Sequence, residues 1–76
     1  MAEGFDADFA SRANLELEHS PIFALRDLSV EQSGERLVIQ GRVSSFYHKQ
    51  LAQEAVRAVS GGLRVVNSVE VLMSGA

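Results

Sequence analysis

Cysteine is absent from this chain, which excludes a disulfide framework and any thiolate metal site as supports for a small fold. No apolar run approaches the roughly 18 residues a membrane span needs. The first fifteen residues carry Glu3, Asp6 and Asp8 and lack the apolar core of a secretion signal. The expectation is therefore a soluble chain, cytoplasmic if these 76 residues are the full-length protein and at the cell envelope if they were excised from a larger one. Histidine occurs only as His19 and His48, one bordering a predicted helix end and the other in the first turn of a second helix, which is a poor basis for a shared metal site. No nucleophile stands beside a base, and Glu16 and Glu18, two apart on a helix, do not share a face. Neither catalytic residues nor a cofactor are expected.

What is present is ordinary globular material. Hydrophobic residues make up 46% and charged residues 22% of the chain, too apolar for a disordered segment. A domain of this size buries only about 60% of the surface its unfolded chain exposes, so the core is small and self-association is one way to enlarge it. The net charge of −3 hides an uneven distribution. Residues 1 to 18 hold Glu3, Asp6, Asp8, Glu16 and Glu18 against Arg12, whereas residues 36 to 64 hold Arg36, Arg42, Lys49, Arg57 and Arg64 against Glu54. The basic segment is either an anion-facing surface or a set of solvated arginines offset by the acidic N-terminal element.

Periodicity orders the elements. After a frayed start over residues 1 to 5, Phe9, Ala10, Ala13 and Leu17 recur at helical spacing, which predicts a helix from Asp6 to Glu18. Asp6 or Asp8 suits its N-terminus, and Ser20-Pro21 ends it. Ile22, Phe23 and Leu25 form an apolar cluster expected to close one end of the core. From Leu28 the period changes to two: Leu28 and Val30 face inward, Ser33-Gly34-Glu35 turns, and Leu37, Ile39 and Val43 continue the inward face of a second strand. Gly41 falls where an inward side chain is expected, which predicts a bulge or a helix crossing close to the backbone. Ser44 or Ser45 caps a second helix over Phe46 to Ser60, with Leu51, Ala52, Ala55, Val56 and Val59 as its apolar stripe and Gln50, Gln53, Glu54 and Arg57 opposite. Gly61-Gly62 stops it, and Val65, Val69, Val71 and Met73 alternate in a third strand before the tail of residues 74 to 76. The fold class is α+β, in the order α-β-β-α-β, as one domain over residues 6 to 73.

This order, with Ile39-Gln40-Gly41-Arg42-Val43, the alanine-bearing helix around Ala52 and Ala55, and Gly61 leading to Val65-Val66-Asn67-Ser68-Val69-Glu70-Val71, resembles the BON domain. That is a bacterial module named for osmotic-shock and nodulation proteins, and the likeness covers residues 9 to 72. Ile39 stands where the family usually has leucine, and Gly62 where it usually has an apolar residue, with Leu63 one place later. The resemblance implies a three-stranded mixed sheet with both helices packed on one face, Gly41, Gly61 and Asn67 as structural positions beside the turn glycine Gly34, and a non-catalytic module that binds phospholipid or a membrane-associated partner.

The residues permit such a role at one place. Ser45-Phe46-Tyr47-His48-Lys49 sets two aromatics and a cation at a helix N-terminus, where free N–H groups and the helix dipole favour an anion. Phe46 or Tyr47 suits a lipid interface and Lys49 a headgroup. Arg42 and Arg64 are included as flanking the strand ends nearest this helix. The plainer expectation is that one aromatic covers the open end of the sheet and the other lies flat on the surface. Nucleic acid is not expected as a partner, because no GxxG loop is present and the outward positions Arg36, Val38, Gln40 and Arg42 lack stacking aromatics. Anionic phospholipid is thus the leading partner. The alternative is a protein-interaction or self-assembly module built on the valine-rich last strand, in a chain that is a monomer or a weak homo-oligomer.

Overall fold

A computed structural model describes residues 8–72. Asp6, Met73 and the two predicted terminal segments lie outside the described residues. Helix α1 spans Phe9–Glu18. Its N-cap is Asp8, whose carboxylate accepts from the Ser11 backbone N–H at 3.0 Å and from the Ser11 hydroxyl at 2.8 Å; these two bonds hold the carboxyl below its ordinary range. Helix α1 ends at His19, as Ser20-Pro21 requires. A single 3-10 turn follows at Phe23–Leu25. Strands β1 (Ser29–Ser33) and β2 (Arg36–Gln40) form an antiparallel hairpin with Ser33 opposite Arg36. Gly34, at φ 63°, occupies the first central position of its two-residue turn, as a type II′ turn needs.

Strand β3 (Arg42–Val43) continues β2 beyond Gly41. Helix α2 spans Phe46–Ala58, and the last strand comes in two pieces, β4 (Arg64–Asn67) and β5 (Glu70–Val71). The sheet order is β1-β2-β4, with β2 and β4 parallel and β3 and β5 parallel beyond them. One register runs through both pieces, from Arg36 beside Arg64 to Val43 beside Val71. The donors Ser68 N–H to Ile39 C=O at 2.9 Å and Glu70 N–H to Gly41 C=O at 2.9 Å carry the ladder across the interruption. The fold is therefore an α+β domain with a three-stranded mixed sheet.

The core lies between the sheet and the two helices. Leu17 from α1, Leu25 from the 3-10 turn, Leu37 and Ile39 from β2, Val56 from α2 and Val69 are its largest fully enclosed side chains. Burying each contributes about 1.5–3 kcal/mol. Ala13 and Ala52, both fully buried, let the helices approach closely. Around this core, Phe9, Leu51, Ala55, Val59, Leu63, Val65 and Val71 are partly buried, as the sequence periodicity requires.

Two glycine positions correct or sharpen the sequence reading. Gly41 has φ 133°, and what comes close is neither a helix nor a bulge: a Cβ there would lie 2.5 Å from Leu28 Cδ2 and 3.3 Å from Leu28 Cα. The neighbour is the start of the adjacent strand, and the register on either side gains no extra residue. Gly61 and Gly62, at φ 62° and 92°, are the central residues of a turn closed by Leu63 N–H donating to Ser60 C=O at 3.0 Å, a type I′ geometry that calls for positive φ twice. The second glycine thus displaces the apolar residue by one place to Leu63, which still packs against the core. The Phe9 ring lies over Gly61 and fills the space a Cβ would take.

Candidate functional site

Topology decides which side chains meet. Because α2 joins the end of β3 to the start of the parallel strand β4, it runs back along the sheet. Its first turn therefore lies at the C-terminal ends of the strands and its last turn at their N-terminal ends. Ser45 caps the first turn, its Oγ accepting from His48 N–H at 3.1 Å and its C=O from Lys49 N–H at 3.2 Å. The backbone N–H groups of Phe46 and Tyr47 precede the first intrahelical donor and face outward from this end.

Neither aromatic covers the sheet. Phe46 is 64% and Tyr47 66% exposed, against the expectation that one would be buried. Tyr47 borders a depression of about 320 Å³ shared with His19, Pro21, Ile22, Leu25 and Leu51, which sets the 3-10 turn beside the start of α2. Phe23, expected in the core, is 75% exposed on that turn. Three residues of a 3-10 turn point in three directions, and Leu25 takes the inward one. Leu72, also more than half exposed, leaves the sheet at the same end, where its N–H donates to Val43 C=O at 2.8 Å. Four of the five large apolar side chains that the described residues expose thus share one end of the molecule; Leu15 on α1 is the fifth.

The cations here are differently committed. Lys49 is half-buried and lines a groove of about 370 Å³ with Phe46, Gln53, Arg57 and Asn67. Arg42 pairs with Glu70 at 3.4 Å across β3 and β5, both side chains well exposed, so its charge is largely answered within the sheet. Arg26, which the sequence reading passed over, holds the Ser20 C=O through Nε at 3.0 Å and places its guanidinium 5.3 Å from the Phe23 ring centre. His48 Nδ1 is buried and has no hydrogen-bond partner among the described residues; its ring lies 5.7 Å from that of Tyr47.

Arg64 is not part of this end. It opens β4 beside Arg36 and lines a depression of about 430 Å³ with Arg57, Ser60, Gly62 and Leu63, at the C-terminal end of α2. Phe46, Tyr47 and Lys49 share the first turn of α2, Arg42 points from β3 to the face of the sheet opposite the buried Val43, and Arg64 lies at the far end. Asn67 is the joint between α2 and the last strand. Its Nδ2 donates to Lys49 C=O at 2.9 Å and to Gln53 Oε1 at 3.3 Å, and its Oδ1 accepts from Val69 N–H at 3.2 Å. Gln53, read as part of the solvated face of α2, is half-buried by this contact.

Among the described residues, no group of three or more histidine, aspartate or glutamate side chains is placed to hold a metal ion, and no helix is long and apolar enough to cross a membrane. A small α+β module with an exposed aromatic end is the class these features define. Residues 6–73 match the BON domain family model, and the chain belongs to that family. No curated protein matches the sequence. Membership makes the chain a binding module of a non-catalytic family.

Proposed function

We propose that this domain binds anionic phospholipid surfaces, entering the headgroup region with Phe23, Phe46, Tyr47 and Leu72. The observation that supports the reading is the gathering of these four exposed apolar side chains at one end, beside the unpaired N–H groups of α2 and the cations Arg26 and Lys49. Aromatic rings with polar partners suit the boundary between water and acyl chains. A nearby lysine or arginine adds attraction of about 1 kcal/mol to an anionic surface, and that attraction falls with salt. Arg42 contributes less than the sequence reading assigned to it, because Glu70 is its neighbour, and Arg64 contributes nothing at this end.

The test is co-sedimentation with vesicles of phosphatidylglycerol and of phosphatidylcholine, each at low and physiological salt. Binding to the first alone, reduced by salt and by Lys49→Glu and lost in Phe46→Ser/Tyr47→Ser, is expected. Equal sedimentation of the wild-type chain and the double variant would remove the aromatic end as the contact, and no sedimentation with either vesicle would remove lipid as the ligand.

A further inference from the structure

The two edges of the sheet are finished differently. On β1, the Asn14 side chain acts as a substitute strand: its Oδ1 accepts from Val30 N–H and its Nδ2 donates to Val30 C=O, both at 2.9 Å. The neighbouring Leu28 N–H is taken by Leu25 C=O at 3.3 Å. Covering an edge in this way prevents pairing with another chain. On the other side, β4 and β5 have no strand beyond them among the described residues. Arg64, Ser68, Glu70 and Leu72 give their N–H groups to the C=O groups of Glu35, Ile39, Gly41 and Val43 in turn. The backbone groups of Val65, Asn67, Val69 and Val71 therefore point away from the sheet, and among the described residues only the Val69 N–H finds a partner, Asn67 Oδ1 at 3.2 Å.

We propose that this open edge pairs with the same edge of a second copy, antiparallel and centred on Asn67. Among registers two residues apart, this one alone sets Arg64 against Glu70 while keeping valine against valine. An antiparallel pair must join outward-pointing residues to outward-pointing residues, which restricts the registers to shifts of two. Centred on Asn67, Val65 faces the second copy's Val69 and Leu63 faces its Val71 on the inner side, extending two cores whose Leu63, Val65 and Val71 are only partly buried. On the outer side, Arg64 faces the second copy's Glu70, which Arg42 of its own chain also meets at 3.4 Å, so each Glu70 lies between two guanidinium groups, twice by symmetry. A shift of two residues in one direction sets Arg64 against Ser68, and in the other against Leu72, and either leaves Val65 without Val69.

The symmetry is of the isologous kind expected for a dimer, and its axis stands normal to the sheet. The two sheets become one of six strands, with both α2 helices on the same side, running antiparallel. The flank of α2 beside the edge carries Lys49, Glu54 and Arg57, so each copy presents both signs of charge to the other. Asn67 Oδ1 keeps one donor per chain occupied, and the pairing proceeds through the Asn67 and Val65 groups.

This surface is separate from the aromatic end, and its test uses no lipid. The mass of the full chain is measured by light scattering after size exclusion from micromolar to millimolar concentration, with circular dichroism to verify each variant. The wild-type chain is expected to pass from monomer to dimer. Arg64→Glu and Glu70→Lys, both at exposed positions, are each expected to weaken the dimer about tenfold or more, by replacing two opposite-charge pairs with two like-charge pairs; the loss of the Arg42–Glu70 pair in Glu70→Lys is common to monomer and dimer. The double variant restores the pairs and is expected to return to within about threefold of wild type. A monomer at every concentration overturns the proposal. A dimer indifferent to the single substitutions, or a double variant as weak as the singles, overturns this edge and this register.

Discussion

Gly41→Ala is the substitution for which the structure gives the sharpest expectation. Two costs add. The residue has φ 133°, a region that L-residues enter at about 1–3 kcal/mol. The new methyl would also lie 2.5 Å from Leu28 Cδ2 and 3.3 Å from Leu28 Cα. The side-chain atom can turn aside, but Leu28 is only 6% exposed and its rotation displaces other core atoms, at about 1–3 kcal/mol for overpacking. The backbone atom moves only if β1 moves. The expected destabilisation is about 2–6 kcal/mol, a large part of the stability of so small a domain. Urea unfolding followed by far-UV circular dichroism reads it directly, and each 1 kcal/mol lowers Tm by about 4–8 °C in a domain of this size. Combining Gly41→Ala with Leu28→Ala isolates the steric part, since the pair then costs less than the sum of its members. A Gly41→Ala chain within about 0.5 kcal/mol of wild type would refute the close approach of β1 and with it this account of the glycine.

Two further substitutions test the joints of the fold. Asn67→Ala removes the bonds from its Nδ2 to Lys49 C=O and Gln53 Oε1 and the bond its Oδ1 accepts from Val69 N–H; at a net worth of about 0.5–1.5 kcal/mol for each hydrogen bond, a loss of about 1–3 kcal/mol is expected in urea unfolding. Asp there would keep the acceptor for Val69 but set a carboxylate against Lys49 C=O, and is expected to be no better than Ala. Asp8 has its carboxyl lowered by the Ser11 backbone and hydroxyl bonds, so its capping stabilises the fold above the ordinary carboxylate range and is lost as pH falls through the lowered value. The Tm difference between wild type and Asp8→Ala is therefore expected to be constant near neutrality and to close below about pH 4. A difference that grows on acidification would contradict the cap.

The order of elements was legible because each changes the hydrophobic period: Ala13 and Leu17 mark a helix, Leu37 and Ile39 a strand, Ala52 and Val56 a helix again. Cap and stop residues were legible for the same local reason, as Ser45 and Gly61-Gly62 show. What local pattern does not carry is the position of one element beside another. Arg64 was assigned to the aromatic end because it neighbours a strand end, yet a helix joining parallel strands must run against both, and this sends the start of β4 to the far end. The exposure of Phe23 was missed because an apolar cluster reads as core wherever its geometry is unknown, and a three-residue turn cannot bury all its members. Asn14 gave no sequence signal at all: an asparagine in a helix becomes informative only once Val30 is seen across from it.

The constant register between the second and last strands turns the intervening chain into a ruler. From Arg36 to Val43, each residue meets a partner a fixed number of positions later, so the turn, helix and double-glycine loop between them have one permitted length. One residue added anywhere in residues 44–63, if the helix kept its place, would turn the valines of the last strand outward and its arginine and glutamate inward. A label, tag or grafted loop belongs instead at Gly34-Glu35, where the chain reverses in the open with no atom within 4 Å of a Gly34 Cβ and added length leaves every pairing downstream unchanged.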